Sequence, residues 1–192
     1  MRAGSHCQGK EAFLERPLRY CRFNKIKKHI NKNSNVLDLG CGYNGDFLKY
    51  IETDLGAGTG VDISVNASNS PKIRLVRGNL EDQLCFAENV FDVVVSLANL
   101  EHLSNPEKML KEIKRVLKPG GILLLTTPSK RAKPVLEFLS FGLGIISKQE
   151  IADHKHYFDE KSLRKYINDA GFSYCQHKYF QLFMNNFVIA HK

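Results

Sequence analysis

The sequence predicts an α/β fold, a mostly parallel sheet with helices on both faces and an antiparallel hairpin at one edge. Three observations predict it. The apolar run Val36-Leu-Asp-Leu39 leads directly into Gly40-Cys-Gly-Tyr-Asn-Gly45, which places three glycines at G-x-G-x-x-G spacing between a strand and a helix. Short apolar runs then alternate with amphipathic stretches. Finally, the last two strand-like runs are separated by only a short polar turn, which is hairpin spacing and too little for a crossover. A chain of 192 residues, 43% hydrophobic and 25% charged, has the size and composition of one globular domain.

Taken in order, residues 12–31 carry Phe13, Leu14, Leu18, Phe23, Ile26 and Ile30 at helical spacing among basic side chains, and Asn33-Ser34 ends them. The first strand is expected at 35–40 and a helix from Gly45, with Phe47, Leu48 and Ile51 on its apolar face. Gly56-Ala-Gly58 loops into a second strand at 59–63, ending in Val61-Asp-Ile63. Residues 64–70 leave room for a short helix at most, and a third strand follows at 73–77. Phe91-Asp-Val-Val-Val-Ser96 has the unbroken apolar character of a strand covered on both faces. Asn105-Pro106 opens a helix as cap and first residue, and Met109, Leu110, Ile113, Val116 and Leu117 form its stripe. Lys118-Pro-Gly-Gly121 stops it before a fifth strand at 122–126. After Pro128 the pattern loosens for about thirty residues. A helix at 160–170, closed by Gly171, and strands at 173–180 and 186–191 complete the chain. We read residues 1–192 as a single domain, with 1–33 an N-terminal helical segment and 129–159 an insertion. No repeat, low-complexity tract or linker interrupts it.

Five scattered cysteines with no C-x-x-C pair argue for a reduced interior and against both a disulfide framework and a zinc site. The opening residues are polar and no apolar run reaches the ~18 residues of a membrane span. The expectation is a cytoplasmic protein without a transmembrane segment. The net charge of +8 is concentrated in Arg16, Arg19, Arg22, Lys25, Lys27, Lys28 and Lys32. A solvated helix face accounts for it, and an anionic substrate or partner is the alternative.

The glycine turn alone fits any nucleotide-like cofactor, a nicotinamide included. Asp38, two residues before the first glycine, would repel a pyrophosphate and attract an ammonium group. Asp62, ending the second strand, suits a ribose diol. Asn79-Leu80, after the third strand, offers an amide and a backbone N–H to an adenine edge.

These segments, with Gly78-Asn-Leu-Glu-Asp82, Phe91–Ser96 and Leu117-Lys-Pro-Gly-Gly-Ile-Leu-Leu-Leu125, resemble the class I S-adenosylmethionine-dependent methyltransferases, closely over 34–128 and loosely near the end. The resemblance implies a Rossmann-like seven-stranded sheet with the last strand antiparallel, and S-adenosyl-L-methionine as cofactor. It implies that Asp38 with Gly40, Cys41 and Gly42 holds the methionine amino and carboxylate groups. Asp62 would take the ribose hydroxyls, Ile63 the adenine face, and Asn79 and Leu80 the adenine edge. Many relatives carry Asp where this chain has Asn79. Leu97 and the loop after it would line the methyl-transfer pocket. Tyr157-x-x-x-Lys161 matches a short-chain dehydrogenase pair, but the glycine motif is wrong for that family.

Methyl transfer to a hydroxyl needs a proton acceptor, and three histidines are candidates for catalysis. His102 follows the fourth strand in Asn99-Leu-Glu-His102, where a structural, loop-packing role is the alternative. His154 and His156 lie in Asp153-His-Lys-His-Tyr157, where substrate contact or general base catalysis is expected. No metal is expected at the H-x-H pair, because no third ligand stands at a telling spacing. The loop Ser96-Leu-Ala-Asn-Leu100 lacks the Asn/Asp-Pro-Pro-Tyr pattern of enzymes acting on base amines. Nucleic acid is therefore disfavoured, and a small-molecule or glycan-like acceptor, methylated at oxygen, is expected; the glycan rests on resemblance alone. An RNA methyltransferase and a non-catalytic S-adenosylmethionine-binding protein are the alternatives. Val135–Ile146 reads as a cap over the substrate pocket, with a core or homodimer-forming segment and a lipid-touching surface as alternatives.

Overall fold

The computed structural model describes residues 15–68, 70–138 and 153–192. Seven strands form one sheet in the order β3-β2-β1-β4-β5-β7-β6. They are β1 Ser34–Leu39, β2 Leu55–Asp62, β3 Ile73–Arg77, β4 Phe91–Leu97, β5 Leu117–Pro128, β6 Tyr174–Phe180 and β7 Asn185–His191. Strands β1 to β5 pair in parallel, and β7 runs antiparallel to both β5 and β6. The helices are α1 Glu15–Lys27, α2 Asp46–Tyr50, α3 Pro106–Val116, α4 Ala132–Glu137 and α5 Glu160–Asp169, with 3-10 turns at Glu52–Asp54 and Leu100–His102. The expected fold class, sheet and hairpin are all present. Among the described residues, no helix is long and apolar enough to cross a membrane.

Two apolar layers sandwich the sheet, because side chains alternate across a strand. Leu37, Leu39 and Val94 join Met109, Leu110, Ile113 and Val116 of α3 and Leu163 and Ile167 of α5 on one face. Val36, Val93 and Val95 join Phe23 and Ile26 of α1 and Phe47 and Leu48 of α2 on the other. Helix α3 forms as its sequence demands: the Asn105 side chain accepts the Lys108 N–H at 3.0 Å, Pro106 occupies the first turn, and the i, i+1, i+4, i+7 positions are buried. Burying those four side chains contributes on the order of 10 kcal/mol before entropy is counted. Helix α5 opens on a capping box in which Asp159 and Ser162 bond each other's backbone N–H.

Four points differ from the sequence reading. Strand β2 runs from Leu55 to Asp62, so Gly56-Ala-Gly58 is part of the strand, paired with the start of β1, and not a loop before it. Helix α1 stops at Lys27, where His29 and Ile30 donate to the carbonyls three residues back and tighten the last turn; Leu18 is exposed. Strand β5 begins immediately after α3: Leu117 pairs with Phe91 and Ile122 with Val93, so Lys118–Gly121 bulge out within the strand instead of preceding it. Helix α4 lies where a loose pattern was read. No helix forms among residues 64–68, and most of the Val135–Ile146 stretch and all of residues 1–14 lie outside the described residues.

Candidate active site

In an open parallel sheet a ligand crevice forms outside the strand carboxyl ends, where neighbouring connections leave in opposite directions. Here that point is β1, which pairs with β2 on one side and β4 on the other. The turn leaving β1 carries Gly40, Gly42 and Gly45 at φ +75°, +71° and +63°, a region closed to most L-residues. A Cβ on Gly40 would sit 2.7 Å from Cγ of the buried Asn99, so the turn also needs the space glycine leaves. The turn is fastened to β2: Gly40 N–H donates to the Val61 carbonyl at 2.9 Å, and Gly42 N–H to the Asp62 carboxylate at 2.9 Å.

Asp38 shares its face of β1 with Val36, pointing towards the α1 and α2 layer, and is 2% exposed. Burial, and then the neighbouring Asp62 carboxylate, push its pKa up to about 7. Two acids converge where one ionises with difficulty, so a cationic group arriving there would restore the charge that desolvation opposes. The ammonium end of S-adenosylmethionine has the charge such a position would accept. Cys41 packs below the turn, and its thiol, raised by burial and then by Asp38, stays protonated.

Asp38, Gly40, Cys41, Gly42 and Leu97, all expected at the site, line one cavity of about 240 Å³. Ala98, in the loop expected to follow Leu97 into the pocket, also lines it, and residues that sequence reasoning did not place there complete its wall: Arg19, Arg22 and Phe23 of α1, and Asp46 and Phe47 of α2. Arg19 reaches Asp46 at 3.4 Å. The basic run of the N-terminal segment was the available signal, but only the fold shows α1 lying over the glycine turn. Ala98 has φ +49°, a strained position for alanine at the mouth of the cavity. Asp62, Ile63, Asn79 and Leu80 are not among its lining residues. Asp62 holds the turn, Ile63 is half-buried, and Leu80 packs in the core. Asn79 is exposed and its side-chain oxygen accepts the Glu81 N–H at 3.1 Å. A roomier concavity of about 520 Å³ along α3, edged by Gln83, Asn105, Glu107, Lys108, Lys111 and Glu112, contains no candidate residue.

The fold brings two of the three candidate histidines together. His102, in the turn after β4, and His154 have ring centroids 4.8 Å apart, nearly edge to face. The backbone joins their segments, because the Glu101 carbonyl accepts both the Lys155 and His156 N–H groups at 2.9 and 3.1 Å. Nδ1 of His102 lies 3.2 Å from the Asp153 carbonyl, and Nδ1 of His154 lies 3.1 Å from the Tyr157 hydroxyl. His156 turns away, its ring against Phe158. Glu101, also missed from the sequence, is fully buried beside this pair.

A family model described as a methyltransferase domain matches residues 12–177. The ubiquinone/menaquinone biosynthesis C-methyltransferase UbiE of Hydrogenovibrio crunogenus is 31% identical over 172 residues, covering 74% of this chain and 67% of that protein. A tRNA U34 carboxymethyltransferase of Campylobacter concisus is 33% identical over 117 residues, 56% of this chain and 40% of that one. The chain thus spans less than half the length of some of the curated relatives it matches. Among solved structures, a methyltransferase of Haloferax volcanii in complex with the Trm112 methyltransferase activator superposes with a TM-score of 0.72 at 18% identity, covering 90% of each chain. An S-adenosylmethionine-dependent methyltransferase from Mesorhizobium loti gives 0.70 at 16% identity, over 91% of this chain and 97% of that one. Those two likenesses concern the fold alone. The family match spans most of the chain and includes the glycine turn, and this protein belongs to the methyltransferase-domain family, as a class I S-adenosylmethionine-dependent methyltransferase.

Proposed function

We propose that this protein methylates an oxygen of a small-molecule or glycan-like acceptor. Asp38 and the Gly40–Gly42 turn hold the amino-acid end of S-adenosylmethionine, Asp62 takes the ribose hydroxyls, and Ile63, Asn79 and Leu80 take the adenine. The observation that carries this assignment is the buried Asp38, pushed up to about 7, on the wall of the glycine-turn cavity. Asp62 can exchange its bond to Gly42 N–H for the ribose diol as the cofactor enters.

When bound, the cofactor supplies a methyl group on a positively charged sulfur, and the reactive power lies there. The chain's residues align the acceptor and exclude water. With the donor held by Asp38 and the Gly40–Gly42 turn, transfer to the acceptor oxygen would break the methyl carbon–sulfur bond and leave its electron pair on sulfur. The hydroxyl proton must leave, and His102, in the turn after β4, with His154 of the 153–158 segment packed against it, would assist. Arg19 and Arg22 on the cavity wall favour an acceptor carrying a carboxylate or phosphate.

Incubation with methyl-labelled cofactor and a panel of hydroxylated small molecules, sugars and glycans, read by mass spectrometry, tests the acceptor class. A labelled ether on one panel member supports the proposal, and label on carbon or nitrogen only would overturn it. The basic α1 and the tRNA-acting relatives support a second reading, methylation of RNA. RNA binding that weakens steeply with salt, together with label transfer to RNA, would favour it.

A further inference from the structure

We infer that Glu101, His102 and His154 form a binding site for a divalent transition-metal ion of the zinc or ferrous class. One ligating atom from each of the three lies within 4.8 Å of the others. The carboxylate belongs to a fully buried residue, which distinguishes this set from the exposed acidic groups common on protein surfaces. The spread exceeds the about 3.4 Å between ligands in a tetrahedral site bonded at ~2.1 Å, a gap that side-chain rotation closes.

The second observation is the outer support. A metal-bound imidazole characteristically gives its other ring N–H to a protein oxygen, which fixes tautomer and orientation. Both rings have that partner: Nδ1 of His102 faces the Asp153 carbonyl and Nδ1 of His154 faces the Tyr157 hydroxyl. A proton on each Nδ1 leaves the Nε2 lone pair as the ligand. The two segments that carry the ligands are far apart in sequence and are held in register by the paired bonds to the Glu101 carbonyl. His156, the other half of the H-x-H pair, is not in the set; the fold pairs His154 with His102 and a carboxylate instead. Two imidazoles and one carboxylate select a borderline ion such as Zn²⁺ or Fe²⁺ over Mg²⁺ or Ca²⁺, and three protein ligands leave a position open.

The turn that carries Glu101 and His102 also packs against Gly40, through Asn99. An acceptor hydroxyl bound at the open position would be acidified by the ion. Its proton passes to water or buffer, the new oxygen–methyl bond forms as the carbon–sulfur bond breaks, and the ion keeps its oxidation state. This role rests on the proposed oxygen methylation, whereas the site itself does not.

Purified full-length protein, stripped with a chelator and titrated with Co²⁺, tests the site by its visible absorption, independently of turnover. The expected result is one equivalent bound with the spectrum of nitrogen and oxygen ligands. His154→Ala and Glu101→Gln should each weaken binding about 100-fold or more, and Tyr157→Phe about 10-fold, through lost outer support. His156→Ala should leave Co²⁺ binding unchanged. Because Glu101 is buried, His154→Ala carries the test if Glu101→Gln fails to fold. Absence of binding, a thiolate-to-cobalt charge-transfer band, or binding that survives His154→Ala would overturn the site. S-adenosylhomocysteine binding by the same samples separates the two failures: retained with no Co²⁺ uptake, it sinks the metal site and spares the cofactor assignment.

Discussion

Between Val36 and Gly45 a single uninterrupted segment supplies a strand, a buried acid and a three-glycine turn, whereas the histidine cluster draws one part from the end of β4 and the other from the 153–158 segment. The first region is rigid by local necessity. Positive φ at Gly40, Gly42 and Gly45 and the bonds from the turn to Val61 and Asp62 leave the backbone one way to run. The second is held by two backbone hydrogen bonds to one carbonyl and by ring contacts. The difference would suit the tasks proposed for them, since a shared cofactor calls for a fixed site while the region that meets differing acceptors varies.

Substitutions in the two regions should therefore fail differently. Asp38→Ala removes the proposed charge partner of the ammonium group and should weaken S-adenosylhomocysteine binding by about thirtyfold or more, the usual cost of truncating one member of a buried ion pair. Calorimetry would detect this, and undiminished affinity would break the assignment of the β1 turn. Gly40→Ala puts a side chain at φ +75° and 2.7 Å from Asn99. It should cost about 1–3 kcal/mol of stability by denaturant titration and impair binding as well. In the other region, His154→Ala should lower kcat/KM by about 100-fold while leaving cofactor affinity unchanged. If cofactor affinity fell equally, the two regions would be one energetic unit and the contrast would fail.

The pH dependence sharpens the same contrast. Asp38 is raised in the folded protein from 3.8 to about 7. Its neutral form is favoured by folding, so this contribution to stability is complete below the unfolded pKa and is lost as pH rises through the folded value, at about 1.4 kcal/mol for each pKa unit. Without cofactor, thermal stability should fall between about pH 4 and pH 7 more steeply in the wild type than in Asp38→Asn. Cofactor binding should move the opposite way, strengthening as the carboxylate forms. A stability profile unchanged in Asp38→Asn would show that this acid is not perturbed. The smallest effect lies far from both regions: Asn105→Ala should remove about 1 kcal/mol with the α3 cap, lowering Tm by about 2–4 °C.

What the sequence disclosed follows the same division. The sheet, α3 and the turn were legible because their signals are contiguous: alternation of apolar runs, the Asn105-Pro106 start, glycines after a strand. Lys118–Gly121 was read correctly as an interruption but misplaced, because a bulge inside a strand and a turn before it have the same local chemistry. Arg19, Arg22 and Phe23 escaped as site residues, since nothing in α1 itself says which face of the sheet it covers. Glu101 escaped for a related reason. A glutamate in a loop reads as solvated until the 153–158 segment folds against it.

The most direct test is to titrate S-adenosylhomocysteine into the wild type and Asp38→Ala at pH 8, with NADH as comparison. Tight binding by the wild type, a loss of about thirtyfold or more in the variant and no response to NADH are predicted. Equal affinity in both proteins, or binding of NADH instead, would contradict the account.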